Sequence, residues 1–494
     1  MNTRYPAPRA TLLLALLLLP CTSIRSAEEE RQPVEPASTE AFEIRNIEGF
    51  AVYINKKDLA DHPAEMREVL DHLQNQYYQV RLTVPAAALA VMQERVPLWL
   101  EYDSGPGTSF HPSYRWLLER GYPSPDGLKS LFSICHAKGF CTNAYHQPWV
   151  VLHELTHGYD YLYLGRGRNY SNDRLKAAYE RAKESGGYDS VLCRYSRGAR
   201  HYAMSNPMEY FAENTEAYFG TNDFYPFVRA ELREHDPQVV ALLEDLWGVD
   251  VVQQGSATRS LARLLDSPNR DAARPPAKGQ ADPLPMSKYE KRTIEGWTVY
   301  VDPSLVEQEA YGREMCKLLG HKLHLVKRYL PEKAIPQLQQ VPIYLEQADP
   351  AVPYATYHAS AESLKAAGLH PDKLQAIEIG NTRAFWQWQS LQPFAMMNLL
   401  ARAYYDRFLS EEETAEIEAA LDRAAKDGGY DSVLRFDGRH VRHPALGGPV
   451  EFFAEMTEAY YGVNDHFPFL QFETKQHDAE TCELLTKLWG GPAK

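Results

Sequence analysis

The run Gln147-Pro148-Trp149-Val150-Val151-Leu152-His153-Glu154-Leu155-Thr156-His157-Gly158-Tyr159-Asp160-Tyr161 decides how this chain is read. Its apolar opening, Trp149 to Leu152, predicts a buried helix over 147–164. On a helix, His153 and His157 lie one turn apart on the same face, so both imidazoles can reach one ion while Glu154 stands beside it. Such a pair suits Zn²⁺, with the carboxylate placed to take a proton from water. The alternative is an exposed turn carrying two surface histidines. A plausible third ligand follows downstream, on a helix predicted over 207–219 with Asn206 as its N-cap and Pro207 in its first turn. Glu209 is the candidate. Glu213, one turn further on, is expected to hydrogen-bond a ligating histidine or Glu209. The competing reading makes both glutamates exposed residues of an amphipathic helix.

Working outward, the chain repeats itself. Ile47-Glu48-Gly49-Phe50 returns as Ile294-Glu295-Gly296-Trp297, and Gly186-Gly187-Tyr188-Asp189-Ser190-Val191-Leu192 as Gly428-Gly429-Tyr430-Asp431-Ser432-Val433-Leu434. Glu209-Tyr210-Phe211-Ala212-Glu213 returns as Glu451-Phe452-Phe453-Ala454-Glu455, and Leu246-Trp247-Gly248 as Leu488-Trp489-Gly490. Order and spacing survive, since the offset drifts only from 247 to 242. A period this long means a tandem duplication of domains rather than a solenoid. The blocks are 41–263 and 287–494, joined by a proline-rich linker at 264–286. Each is expected to be an α+β unit, a small N-terminal sheet followed by a mainly helical body. In the first, Phe50–Ile54 and Val96–Tyr102 read as strands, and Pro63–Tyr78 and Asn172–Glu184 as helices.

His-Glu-Leu-Thr-His-Gly-Tyr-Asp at 153–160 with Glu-Tyr-Phe-Ala-Glu at 209–213 resembles the zinc metallopeptidase domain of anthrax toxin lethal factor and its bacterial relatives, over about seventy residues. The resemblance implies a zincin-like body, zinc ligation by His153, His157 and Glu209, and Glu154 as general base. It also implies that Tyr202, seven residues before Glu209, assists the transition state, where packing is the plainer role, and that Asp160 stands behind the ligands. Toxin function and substrate do not transfer, because the flanking sequence has no match to lethal factor.

The second block tests this from within. Asn398 falls opposite His153, Leu399 opposite Glu154, Arg402 opposite His157 and Pro444 opposite Tyr202, whereas Glu451 and Glu455 remain. Two carboxylates alone make a poor zinc site. His443 faces His201 of the first block, which points to a shared structural role. The second block therefore reads as a degenerate copy that keeps the fold and has lost the chemistry.

The ends and the composition set the context. Arg4 and Arg9, the apolar run Ala10 to Leu19 and the small residues after it read as a signal peptide over 1–27, so the protein is expected to be secreted or periplasmic, with lipid attachment at Cys21 the weaker option. Glu28 to Glu40 reads as a flexible spacer. Removal of the leader leaves Cys135, Cys141, Cys193, Cys316 and Cys482, of which the first two either form a local disulfide or stay as free thiols. A net charge of -14 argues against nucleic acid as a partner. No segment after the leader is apolar enough to cross a membrane, and the oligomeric state is not legible. The function expected is hydrolysis of a protein or peptide substrate by an exported zinc peptidase. The rival is a secreted binding or scaffold protein that keeps zinc only as a structural relic.

Overall fold

The structure, a computed structural model, describes residues 39–103, 108–112, 117, 132–165, 169–194, 196–252, 283–389 and 391–492. The leader, nearly all of the spacer and most of the linker lie outside these residues. The chain is α+β, with two small mixed sheets and a larger helical part.

The repeated Ile-Glu-Gly motif is a hairpin turn. Strand β1 (Phe42–Ile47) pairs antiparallel with β2 (Phe50–Asn55), and Ile47 faces Phe50 across a two-residue loop. Both loop residues have positive φ, 53° at Glu48 and 92° at Gly49, the backbone that a tight hairpin with matching twist requires. Glycine is needed for a second reason, since a Cβ at 49 would fall 2.3 Å from the side chain of Gln93, which donates to the Glu48 carbonyl. The same turn joins β6 (Glu290–Ile294) to β7 (Trp297–Val301), with Gln339 donating to the Glu295 carbonyl.

The first sheet continues through β3 (Leu98–Glu101), β4 (Thr108–His111) and β5 (Phe132–His136), in the order β1-β2-β3-β5-β4. The second adds β8 (Ile343–Leu345), β9 (Ala355–Tyr357) and β10 (Ile377–Ile379), in the order β6-β7-β8-β10-β9. In each the inner pairs are parallel and the outer pairs antiparallel. Strands β4 and β5 escaped the sequence reading; they are short, and the alternation that marks a strand is weak in them.

The helical expectations hold within a few residues. The motif helix is Val150–Tyr159, widening into a π turn at Asp160–Leu164, and the glutamate helix is Pro207–Phe219. Asn206 caps the latter by accepting from the amides of Met208 and Glu209 at 2.9 and 3.0 Å. Asn172 does the same for Asp173–Ser185. Beneath them Trp247 stacks on Tyr159 and Phe211, tying both site helices to one aromatic core. Cys141, Cys193, Cys316 and Cys482 are free thiols, which leaves Cys141 outside any bridge; the side chain of Cys135 lies outside the described residues. Among the described residues no helix is long and apolar enough to cross a membrane.

The halves pack through like surfaces. Phe227 and Val228 of one meet Phe469 and Leu470 of the other in a shared cluster. Glu231 accepts from the Phe227 amide at 2.8 Å and Glu473 from the Phe469 amide at 2.8 Å, and the two buried carboxyls are close enough to act on each other's charge. Burial, then the charge of Glu473, pushes the Glu231 carboxyl well above its usual 4.5, and burial raises Glu473. Groups raised on folding stabilise the fold in their protonated form, an effect complete below about 4.5 and lost as pH climbs through the raised values. The melting temperature is therefore expected to fall as pH rises from about 4.5, and Glu231→Gln to flatten that fall by roughly 2–4 °C or more. Parallel pH profiles of wild type and variant in a melting series contradict a raised carboxyl at Glu231.

Candidate metal centre

Every residue of the motif helix is buried, and its imidazoles point toward the first turn of the glutamate helix. His153 Nε2 and His157 Nε2 lie 3.1 and 3.3 Å from the same oxygen, Glu209 Oε2. A tetrahedral zinc with donor bonds near 2.0–2.1 Å separates its donors by about 3.3 Å. Each imidazole thus already stands at that spacing from Glu209, the three donor atoms lie within 4.8 Å of one another, and the donor set fits zinc.

The protonation of the site follows from this crowding. Burial opposes an imidazolium at His153, yet hydrogen bonds to Glu209 and Glu216 and the charges of Glu216 and Glu213 hold its pKa well above 6.5. Burial also opposes the charged form of Glu209, and hydrogen bonds to His153 and His157 overcome it and hold the carboxyl far below its usual range. A cation shared by the three donors replaces the protons that these contacts otherwise retain.

Glu154 lies beside the trio and does not join it. Its Oε2 accepts from the Phe110 amide of β4 at 2.6 Å, a contact no local pattern announces because it spans 44 residues. Burial raises its pKa, against the opposing charges of His153 and His157. Thr108, Ser109 and Phe110 form one wall of a cleft of about 630 Å³ in which His153, Glu154, His157, Glu209, Tyr170 and Tyr202 meet. Tyr202 is half exposed there, opening the short turn Tyr202–Ser205. Burial and the charge of Glu209 raise its pKa, so the phenol keeps its proton. Tyr170 was not singled out in the sequence.

Two expectations change. The hydrogen bond assigned to Glu213 belongs to Glu216: His153 Nδ1 lies 2.6 Å from Glu216 Oε1 and 3.6 Å from Glu213 Oε1. Gln147 Nε2 donates to the same Glu216 oxygen at 2.7 Å. The glutamate helix runs along the ring so that its second turn past Glu209, not its first, reaches the far nitrogen. Glu216 is seven residues from Glu209, a helical repeat of the same face, and that spacing was the signal available. With Nδ1 turned to Glu216, Nε2 is the nitrogen left facing Glu209 and would be the one offered to an ion. Asp160 is buried, and among the described residues no hydrogen bond joins it to an imidazole: its Oδ1 and His157 Nδ1 both lack a partner there. It stands one turn after His157, at the start of the π turn that widens the helix there. Burial raises its carboxyl to about 7.

No family model, curated protein or solved structure matches this chain.

The second half shows what the same framework does without these donors. On the helix Ala395–Phe408, Arg402 donates from Nε to Asn398 Oδ1 at 3.0 Å and from Nη1 to Glu451 Oε1 at 3.2 Å. In the sequence repeat Asn398 and Glu451 align with His153 and Glu209, and here the Arg402 guanidinium bridges the two. Asn398 Nδ2 donates to Glu455 and Glu458, the counterparts of Glu213 and Glu216. His443 Nδ1 accepts from the Ala445 amide as His201 Nδ1 does from Ala203, the shared structural role expected. Deeper in this half, Glu455, Asp465 and His466 also bring donor atoms within 4.8 Å of one another, although His466 Nδ1 is already bonded to Asp465 at 3.0 Å.

Proposed function

We propose that this chain is an exported zinc-dependent peptidase of the lethal factor type, whose first half cleaves peptide bonds and whose second half is a duplicated domain without the site. What supports the reading is one observation: His153, His157 and Glu209 converge from two helices on a common point, and Glu154 faces that point without belonging to the donor set.

A zinc ion held by these donors supplies Lewis acidity toward water and toward a peptide carbonyl. Glu154 takes the proton of the attacking water. Its Oε2 is fixed by Phe110, which leaves Oε1 to face the cleft, and its raised pKa suits it to keep that proton until the leaving amine accepts it. The Tyr202 phenol, protonated at neutral pH, donates to the oxyanion that develops on the attacked carbonyl. An extended substrate lies along β4, whose residues line the cleft. Glu216 and Gln147 hold His153 in the tautomer that offers Nε2.

The test is digestion of casein or a peptide library by the full chain before and after chelation. Cleavage that stops on chelation and returns with one equivalent of zinc supports the reading. Intact substrate with the zinc-loaded protein favours the binding protein instead.

A further inference from the structure

Between the halves lies a second cavity, of about 170 Å³, whose charge runs against that of the chain as a whole. The protein carries 66 acidic residues against 52 basic ones, yet the cavity is lined by Arg194, Arg229, Arg233, Lys322 and Arg328, with Asp223 the sole acid among the described lining residues. Burial raises even that carboxyl to about 7.

Lys322 carries the argument. It is 4% exposed, and its ammonium reaches only the backbone and side-chain oxygens of Gln389, at 3.2 and 3.4 Å. No carboxylate pairs with it among the described residues, and burial is the one influence on its charge. A buried ammonium without a counter-ion is costly, and burial pushes this one down to about 7. His72 adds a buried donor. The Gln76 amide nitrogen donates to the Pro148 carbonyl and faces His72 Nε2 at 3.2 Å, so Nε2 accepts and Nδ1 carries the proton. That N–H has no partner among the described residues. Burial, then the charge of Arg328, holds the His72 pKa well below its usual range, so the ring is neutral.

We propose that this cavity binds a small oxyanion ligand, a carboxylate or a phosphate, with Lys322 and His72 Nδ1–H as its buried donors and Arg328 on its rim. The site draws on both halves, since His72 and Lys322 come from the long helices Pro63–Thr83 and Glu309–Tyr329. It is separate from the metal cleft, with which it shares only Asp223, and does not depend on the peptidase reading.

Calorimetric titration of the zinc-loaded full chain with inorganic phosphate and, separately, with citrate, at constant ionic strength against chloride, tests this. At least one of the two is expected to bind saturably, and which one binds names the ligand class. Lys322→Met is expected to weaken that binding at least tenfold while melting no lower than wild type in anion-free buffer. Arg328→Met, a rim change that spares the interior, is expected to weaken it as well and serves if the first variant does not fold. Absence of saturable binding by either anion overturns the proposal. So does binding unchanged in the variants, which places the anion in the metal cleft.

Discussion

Exchange of Glu154 for Gln is expected to leave zinc content unchanged and to slow peptide hydrolysis by about a thousandfold, within the 10²–10⁴ range of general acid–base catalysis. The two halves of that expectation have different origins. Metal retention follows from geometry, since the donor atoms belong to His153, His157 and Glu209 and the Glu154 side chain is not among them. Glutamine keeps the size of the side chain and can still offer an oxygen to the Phe110 amide, so the helix and the cleft wall remain joined. The loss of rate follows from chemistry, because an amide cannot take up the proton that burial prepares the carboxylate to hold. Measured kcat/KM on a cleaved peptide, beside zinc analysis of the same samples, separates the two. Equal turnover by wild type and variant removes Glu154 from the mechanism, and loss of zinc makes it a ligand instead.

Trp247→Ala is expected to destabilise the protein by about 3–5 kcal/mol, a large fraction of the total stability of a typical fold. Trp247 is 1% exposed, stacks on Tyr159 at 4.5 Å and on Phe211 at 5.7 Å, meets Phe219 edge-on at 5.5 Å, and donates to Thr215 at 3.2 Å. Tyr159 ends the motif helix and the other three belong to the glutamate helix, so the cavity left by the indole opens where the two helices are joined. Zinc affinity is expected to weaken with it. Trp489 is held in the same way by Tyr404, Phe453 and Thr457, and Trp489→Ala is expected to cost similar stability while sparing the zinc site. Denaturant unfolding of both variants, with competition for zinc against a chromophoric chelator, decides the matter. A loss under about 1 kcal/mol at Trp247 contradicts the role of this core.

How much of this was legible beforehand depended on the range of each contact. The motif helix and the Asn206 cap are local, each fixed by residues within a few positions, and the sequence showed them directly; the Glu48-Gly49 turn is as local, but was read only as part of a repeat. The convergence of His153 with Glu209 is not local, yet resemblance supplied it. Glu216 lay within reach of helical spacing but was passed over for the nearer Glu213. The Phe110 contact to Glu154 depends on a short edge strand with little alternation. Arg402 could be aligned with His157, but its bonds to Asn398 and Glu451 appear only when two helices are packed. The cationic cavity was invisible for the same reason, because its walls are drawn from both halves and none of them forms a charged run.

The most direct test of the account is zinc content by elemental mass spectrometry on the full chain, compared among wild type, Glu209→Gln and Glu451→Gln. One zinc ion per chain is expected in wild type and in Glu451→Gln, and little or none in Glu209→Gln. Zinc retained in Glu209→Gln, or a second ion that persists when the first is removed, contradicts the assignment of His153, His157 and Glu209 as the metal centre of this protein.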